Sequence, residues 1–128
     1  MATKNRAACT PDEQRLYLED YFATDHLLTT AIAKFETLID DATTAAERSR
    51  YRAQALDAQR QVELLRNKLR AFLDDQAPIN PPSMATVEKA KKLAEELAKT
   101  GAKEAQGEAI IAMVVSGLDA FNKIHAAA

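Results

Sequence analysis

Two long segments of the chain repeat apolar or small residues at alternating steps of four and three, and this spacing constrains the fold most. The first stripe is Tyr17, Tyr21, Thr24, Leu28, Ala31, Phe35 and Leu38, and the second is Tyr51, Ala55, Ala58, Val62, Leu65, Leu69 and Phe72. On an α-helix this spacing gathers the side chains on one face, where another helix can cover them. The spacing therefore predicts two long helices packed through matched stripes.

Local signals place the ends of these two helices. Thr10 followed by Pro11 is typical of a helix start, and Thr44 with Glu47 has the spacing of a capping box. We therefore expect helices at about 12–41 and 45–75, with residues 1–10 as an N-terminal tail. The short link between the two helices forces them to run antiparallel, as a long hairpin.

The segment 77–83, APINPPS, separates the hairpin from the rest of the chain. Its three prolines cannot continue a helix, so we expect a surface connector that tolerates an insertion between Ile79 and Asn80. Beyond it the pattern predicts two shorter helices, at about 84–100 and 103–125, with Gly101 as a left-handed cap between them. With only three glycines in 128 residues, the whole chain, 1–128, is expected to be one all-α domain.

The most apolar stretch is EAIIAMVVSGLDAF, residues 108–121. Its apolar run is far shorter than the roughly 20 residues that a membrane-spanning helix needs, so no transmembrane segment is predicted. A helix is predicted instead, buried on several sides. Five of its residues are predicted to belong to the core, or to a core shared with a second chain: Ile110, Val114, Val115, Leu118 and Phe121.

The unequal helix lengths predict an uneven four-helix bundle. Two helices of about 16 and 23 residues are too short to cover a hairpin with arms of about 30 residues along its whole length. We expect one end of the hairpin to stay uncovered unless the short helices lie obliquely, or a second copy or a partner protein completes the core. The first long helix, flanked by Leu18, Phe22, Ile32 and Ile39, is the better candidate for the centre.

Catalytic and metal-binding patterns are weak in this sequence. His26 and His125 are the only histidines, and neither stands at a spacing that would direct two ligands to one metal. Cys9 is the only cysteine and has no neighbouring histidine or second cysteine. We therefore expect no enzyme activity, no metal and no cofactor.

The arginines are concentrated in the first 70 residues, six of them on the second predicted helix. Because arginine favours bidentate and stacked contacts, Arg52, Arg66 and Arg70 form a candidate interaction surface. The alternative is a solvated face with ion pairs such as Asp57 with Arg60, one turn apart. A net charge of −2, with acids interleaved along this helix, argues against nucleic acid as the partner.

The leading functional hypothesis is a helical protein-interaction module: an adaptor, a chaperone-like partner, a small regulator or an assembly subunit. Its partner would be another protein or a second copy of the chain. The alternative is a small-ligand-binding or enzymatic bundle with a pocket between helices 1 and 4, near Tyr17, Tyr21, Phe121 and His125. A cytoplasmic location is expected, and export by a route that needs no signal peptide stays open as an alternative.

Overall fold

Within residues 3–125, which the computed structural model describes, the chain forms four α-helices: α1, Pro11–Asp41; α2, Ala45–Leu73; α3, Met84–Lys99; and α4, Gly107–Ile124. Short 3-10 turns precede α1, at Arg6–Ala8, and α4, at Glu104–Gln106. The prediction of an all-α four-helix bundle is confirmed. Residues 1, 2 and 126–128, which belong to the predicted tail and to the predicted single domain, lie outside the described part of the chain.

Hydroxyl side chains cap the starts of the first three helices. Thr10 accepts a hydrogen bond from the backbone N–H of Glu13, and the Glu13 carboxylate accepts one from the backbone N–H of Thr10. This reciprocal pair satisfies two backbone donors that the helix itself leaves free. Thr44 and Ser83 cap α2 and α3 by accepting from the backbone N–H three residues later.

The helix α1 lies at the centre of the bundle, in contact with each of the other three. Lys91 of α3 reaches Glu19, and Lys34 reaches the carbonyl of Thr100, so α3 runs parallel to α1. His125, at the end of α4, meets Tyr17 near the start of α1, so α4 runs antiparallel to α1. The chain therefore passes up and down four times, and the predicted central position of the first helix is correct.

The two predicted stripes form the core between α1 and α2. All seven stripe residues of α1 are buried, as are six of the seven on α2, with Leu69 partly buried. Burial of a Leu or Phe side chain of this kind stabilises the folded state by roughly 1.5 to 3 kcal/mol. The heptad spacing therefore predicted which faces of α1 and α2 pack together.

Near the loop end of the hairpin, the apolar stripes of α1 and α2 are covered by the chain itself, although the link residues 43–46 are exposed. Phe35 and Leu38 are buried near the end of α1, and Tyr51 is buried near the start of α2. The hydroxyl of Tyr51 lies so close to Gly107 that any side chain there would clash with it. Lys34 also ties the end of α3 to α1. The segment between α3 and α4 thus supplies the cover that the helix lengths alone did not predict.

The helix α4 is not buried on several sides, and this part of the prediction is wrong. Ile110, Val114 and Phe121 are buried, whereas Leu118 is only partly buried and the side chain of Val115 is 51% exposed. The reason is that α1 and α3 cover one side of α4, while its side towards α2 is covered only in part. Phe22, expected beside the seam of α1, is likewise 62% exposed.

The connector is packed structure, contrary to the expectation of an open surface loop. Ile79 is fully buried, and its backbone pairs in both directions with Lys4, at 2.8 and 2.9 Å. The next N–H, that of Asn80, donates to the carbonyl of Ile124 at 2.7 Å. Arg6 adds a hydrogen bond to the carbonyl of Leu73. Residues 4–9 of the predicted tail therefore fasten the connector to the bundle.

The predicted left-handed cap at Gly101 does not form, because no described glycine has a positive φ. Instead α3 ends at an extended residue, Thr100, with φ −73° and ψ 128°. The ammonium of Lys34 donates to the carbonyls of Ala98 and Thr100, at 3.4 and 2.6 Å. A side chain from α1 thus satisfies carbonyls that a glycine cap would otherwise satisfy.

Candidate functional site

The three arginines of the predicted interaction surface lie on α2 and are exposed. The guanidinium of Arg66 lies near the hydroxyl of Tyr21, a buried residue of α1, and partly offsets the rise that burial causes in the pKa of that tyrosine. Arg52 and Arg70 form no ion pair with any residue between 3 and 125, and Asp57 and Arg60 are not paired either. The structure therefore brings Arg66 and Arg70 together on neighbouring turns, with Arg52 about 21 Å away along the helix.

On the opposite flank of α2 lies one exposed apolar residue, Leu64, and α4 has three apolar residues that are exposed or only partly buried. We call Leu64, Ile111, Val115 and Leu118 the α2–α4 row. Ile111, Val115 and Leu118 follow one another at steps of four and three, so they share one face of α4. Leu64 and Val115 are 40% and 51% exposed, and Ile111 and Leu118 are partly buried against the core.

Two polar contacts between α2 and α4 fix the position of this row. The guanidinium of Arg50 binds the carboxylate of Glu108 at one end, and the ammonium of Lys68 donates to the side-chain oxygen of Asn122 at the other, at 2.6 Å. Leu64 lies one turn before Lys68, and Leu118 lies one turn before Asn122, so the two leucines are level on parallel helices. The row is therefore an apolar strip closed at both ends by polar bridges.

A surface groove lies on the other side of α4, between it and α3. One part, about 480 Å³, is lined by Pro81, Pro82, Thr86, Lys89, Ala120 and Lys123 among others. A second part, about 290 Å³, shares Thr86, Lys89 and Ala120 with the first and continues to Ala90, Leu93 and Gly117. The two parts form one continuous channel, which we call the α3–α4 groove.

The ligand pocket proposed between helices 1 and 4 coincides with a packed aromatic cluster. The ring of Tyr17 lies 4.3 Å from that of Phe72, 6.0 Å from that of Phe121 and 5.4 Å from that of His125, measured between ring centroids. Tyr17 and Phe121 are fully buried. These rings occupy the space between α1 and α4 themselves, and the grooves described above lie elsewhere.

The polar atoms of this cluster form one short hydrogen bond. The phenol oxygen of Tyr17 lies 2.6 Å from Nε2 of His125. Burial raises the pKa of Tyr17 well above its usual value, so the phenol keeps its proton. Burial, with the ammonium of Lys68 nearby, lowers the pKa of His125 to about 4. The pair is therefore neutral at physiological pH, and the tautomer of His125 determines which of the two atoms donates.

A second buried ionisable group, Asp20, lies on α1 and is only 2% exposed. Its carboxylate accepts a long hydrogen bond, 3.4 Å, from the hydroxyl of Thr24. Burial raises the pKa of Asp20 to about 6, and the Thr24 contact lowers it in part. No sequence pattern singled out Asp20, because a single aspartate beside an apolar stripe has the same spacing as a polar residue that is exposed on a helix.

The remaining candidates for chemistry are isolated. Cys9 is a free, buried thiol whose pKa is raised, chiefly by burial. Among residues 3–125, no three side chains of His, Cys, Asp or Glu lie close enough together to hold a metal ion. None of the helices in the same range has both the length and the hydrophobicity that a membrane span requires.

Sequence reasoning singled out Val115 and Leu118 of the α2–α4 row, as candidate core or shared-core residues, but it did not single out Leu64 and it missed the α3–α4 groove. The groove depends on small side chains, Ala90, Gly117 and Ala120, which leave space between two helices. A recurrence of small residues near lysines on both short helices was the only signal in the sequence. That signal does not predict a groove unless the relative orientation of α3 and α4 is known.

Comparison with known proteins gives no further guide, because no family model matches the chain and no similar curated protein or solved structure was found. The function is therefore argued from the geometry of this chain.

Proposed function

We propose that the protein is a helical protein-interaction module that binds another protein, or a second copy of itself, through the α2–α4 row. The observation that carries the proposal is the half-exposed side chain of Val115, at the middle of the most apolar helix. Single exposed apolar residues are common on protein surfaces. Val115, however, shares one face of α4 with Ile111 and Leu118, and Leu64 is 40% exposed on α2; apolar surface grouped in this way is typical of interaction sites.

The polar ends of the row support the same proposal. Arg50 with Glu108, and Lys68 with Asn122, flank the apolar strip without covering it. Interfaces commonly combine a small apolar centre with a polar rim that excludes water from it. The exposed arginines Arg52 and Arg70 lie on the other flank of α2, so we treat them as a separate, secondary surface.

Other functions have less support. The rings near Tyr17 and His125 pack against each other where the alternative hypothesis places its ligand, and we propose no catalytic activity. We do not propose nucleic acid as a partner, because acidic residues interrupt the basic face of α2. A cytoplasmic setting, where thiols stay reduced, agrees with the single free cysteine, Cys9.

The test combines purification of the tagged chain from its native cell with light scattering of the pure chain over a range of concentrations. Val115→Asp and Leu64→Glu should keep the fold, because both side chains reach solvent, and should lose the associated protein or the self-association. Leu56→Glu is the matched control, since Leu56 is 60% exposed on α2 and lies off the row.

The outcomes separate the alternatives. A mass that rises with concentration and returns to that of the monomer in Val115→Asp identifies a second copy as the partner. A strictly monomeric chain that loses a co-purifying protein in the same variant identifies another protein. If neither association is found, or if both row variants associate like Leu56→Glu, the proposal is wrong.

A further inference from the structure

We propose that the α3–α4 groove binds an amphipathic α-helix that carries acidic side chains along both flanks of its apolar stripe. This site is separate from the α2–α4 row, so it extends the proposed function and can fail or succeed independently of that row. The proposal rests on three properties of the groove: its charge, its floor and its length.

The charge of the groove is entirely positive. Lys89 on α3 and Lys123 on α4 are the only charged residues that line it, and no acidic residue does so. Neither ammonium forms an ion pair or a hydrogen bond with any residue between 3 and 125, whereas Lys91 on the same helix is paired with Glu19. One unpaired cation on each wall is complementary to an occupant with acids on both sides.

The floor of the groove suits a helix. Ala90, Gly117 and Ala120 have small side chains or none, and Leu93 adds an apolar contact. Small residues allow the backbone of a third helix to come close to α3 and α4, with its larger side chains filling the space between them. A side chain at Gly117 would overlap the end of the Leu27 side chain, so the backbone of α4 lies close to α1 at this point.

The length of the groove agrees with two to three helical turns. It extends along α3 from Ser83 to Leu93 and along α4 from Ser116 to Ile124, which corresponds to about 12 to 15 Å at the helical rise per residue. The walls are helices with satisfied backbones, so an extended peptide would find no row of free backbone groups to pair with. A helix that binds through side chains fits this surface better.

The probe for the test is a synthetic, fluorescently labelled peptide with a leucine and alanine stripe at helical spacing and glutamates on both flanks. Two matched peptides serve as controls: one with lysines in place of the glutamates, and one with the same composition in scrambled order. Binding to the full chain is measured by fluorescence anisotropy. We expect the acidic helical peptide to bind more tightly than both controls.

Variants of the chain locate the site. Reversing both wall charges, in Lys89→Glu with Lys123→Glu, should weaken binding of the acidic peptide about tenfold, the sum of two partly exposed ion pairs. The charge-matched control is Lys92→Glu with Lys103→Glu, two exposed lysines that do not line the groove. Ala120→Leu should block the groove, whereas Ala112→Leu, an exposed position of α4 outside it, should have no effect.

Several results would overturn the proposal. The acidic peptide could bind no better than the scrambled one, or Ala120→Leu could bind it as the wild type does. Binding lost in Val115→Asp but kept in Ala120→Leu would assign the peptide to the α2–α4 row. Laurate serves as a second probe. If the wild type binds laurate but not the peptide, and Ala120→Leu abolishes laurate binding, the groove is a site for small amphipathic anions. Self-association abolished by Ala120→Leu would make a second copy the occupant.

Discussion

The phenol oxygen of Tyr17 and Nε2 of His125 lie 2.6 Å apart, and this hydrogen bond joins the start of α1 to the end of α4. The two residues are 108 positions apart in the sequence. Either the phenol donates to Nε2 or an Nε2–H donates to the phenol oxygen, depending on the tautomer of the neutral imidazole. Burial makes a charge on this imidazole costly, so the packing of the end of α4 against α1 is coupled to the protonation of His125.

The first prediction is that His125 lowers the stability of the protein in mild acid. The pKa of His125 is about 4 in the folded state and near 6.5 in the unfolded chain, so between these values only the unfolded chain binds the proton. The free energy of unfolding of the wild type therefore decreases as the pH falls from about 6.5 to 4. His125→Gln can still accept a hydrogen bond from Tyr17 but cannot titrate. As the pH falls from 7.5 to 4.5, the free energy of unfolding of this variant should therefore rise relative to that of the wild type by about 1 to 2 kcal/mol, allowing for solvent screening.

The measurement is the free energy of unfolding in urea, for variant and wild type, from pH 7.5 to 4.5. His26→Gln is the matched control, because His26 is exposed on α1. A difference between His125→Gln and the wild type that does not change with pH would show that His125 is not buried as described.

The second prediction concerns Asp20, whose effect has the opposite sign. Its pKa is about 6 in the folded state against 3.8 for the ordinary side chain, so between these values the folded chain holds a proton that the unfolded chain has lost. Stability therefore falls as the pH rises from about 3.8 to 6, and stays lower above that. Asp20→Asn should be more stable than the wild type by about 1 to 2 kcal/mol at pH 7.5.

The advantage of Asp20→Asn should disappear near pH 4, where Asp20 is protonated in the folded state. Asp57→Asn, at an exposed position of α2, should show no such dependence. In the wild type the contributions of Asp20 and His125 oppose each other between about pH 4 and 6, so each is best measured as a difference between variant and wild type. A constant advantage from pH 4 to 8 would contradict the raised pKa of Asp20.

The third prediction tests the seam of the hairpin. Leu28 is fully buried on α1 and Leu65 is 1% exposed on α2, so changing either to Ala should destabilise the protein by about 2 to 5 kcal/mol. Leu56→Ala makes the same chemical change on α2 at a position that is 60% exposed, and should change the stability by less than about 0.5 kcal/mol. Thermal and urea unfolding measure all three. Equal losses at Leu56 and Leu65 would mean that the register of α2 is wrong.

The seam was predictable because local periodicity determines which face of a helix is apolar, and the short link between Asp41 and Ala45 leaves an antiparallel partner as the only choice. The exposure of Val115 was not predictable in the same way. An apolar residue on α4 is buried only if another helix covers its side, and that depends on where α2 lies relative to α4. Burial of Asp20 and the α3–α4 groove depend on the same tertiary arrangement.

In the connector, too, burial depends on tertiary packing that the sequence did not predict. Pro78, Pro81 and Pro82 correctly excluded a helix, but prolines carry no information about what covers Ile79. Its burial comes from the pairing with Lys4, 75 residues earlier, and a pairing of one residue with one residue leaves no periodic pattern in the sequence.

The fourth prediction follows from that pairing. Inserting two glycines between Ile79 and Asn80 should destabilise the protein by more than about 2 kcal/mol, although lengthening a free surface loop costs only fractions of that. The insertion separates two anchors: the backbone of Ile79, bound to Lys4, and the N–H of Asn80, which donates to Ile124 at the end of α4. Both backbone contacts cannot be kept, so either the buried Ile79 side chain or the end of α4 must move.

The same insertion between Ala42 and Thr43, in the exposed link after α1, should have a small effect, because Thr43 is exposed and forms no comparable tertiary pairing. Thermal unfolding compares the two insertions directly, and amide hydrogen exchange at Ile79 and Asn80 reports which anchor is lost. Equal melting temperatures for the two insertions would show that the connector contributes no more to stability than an ordinary surface loop.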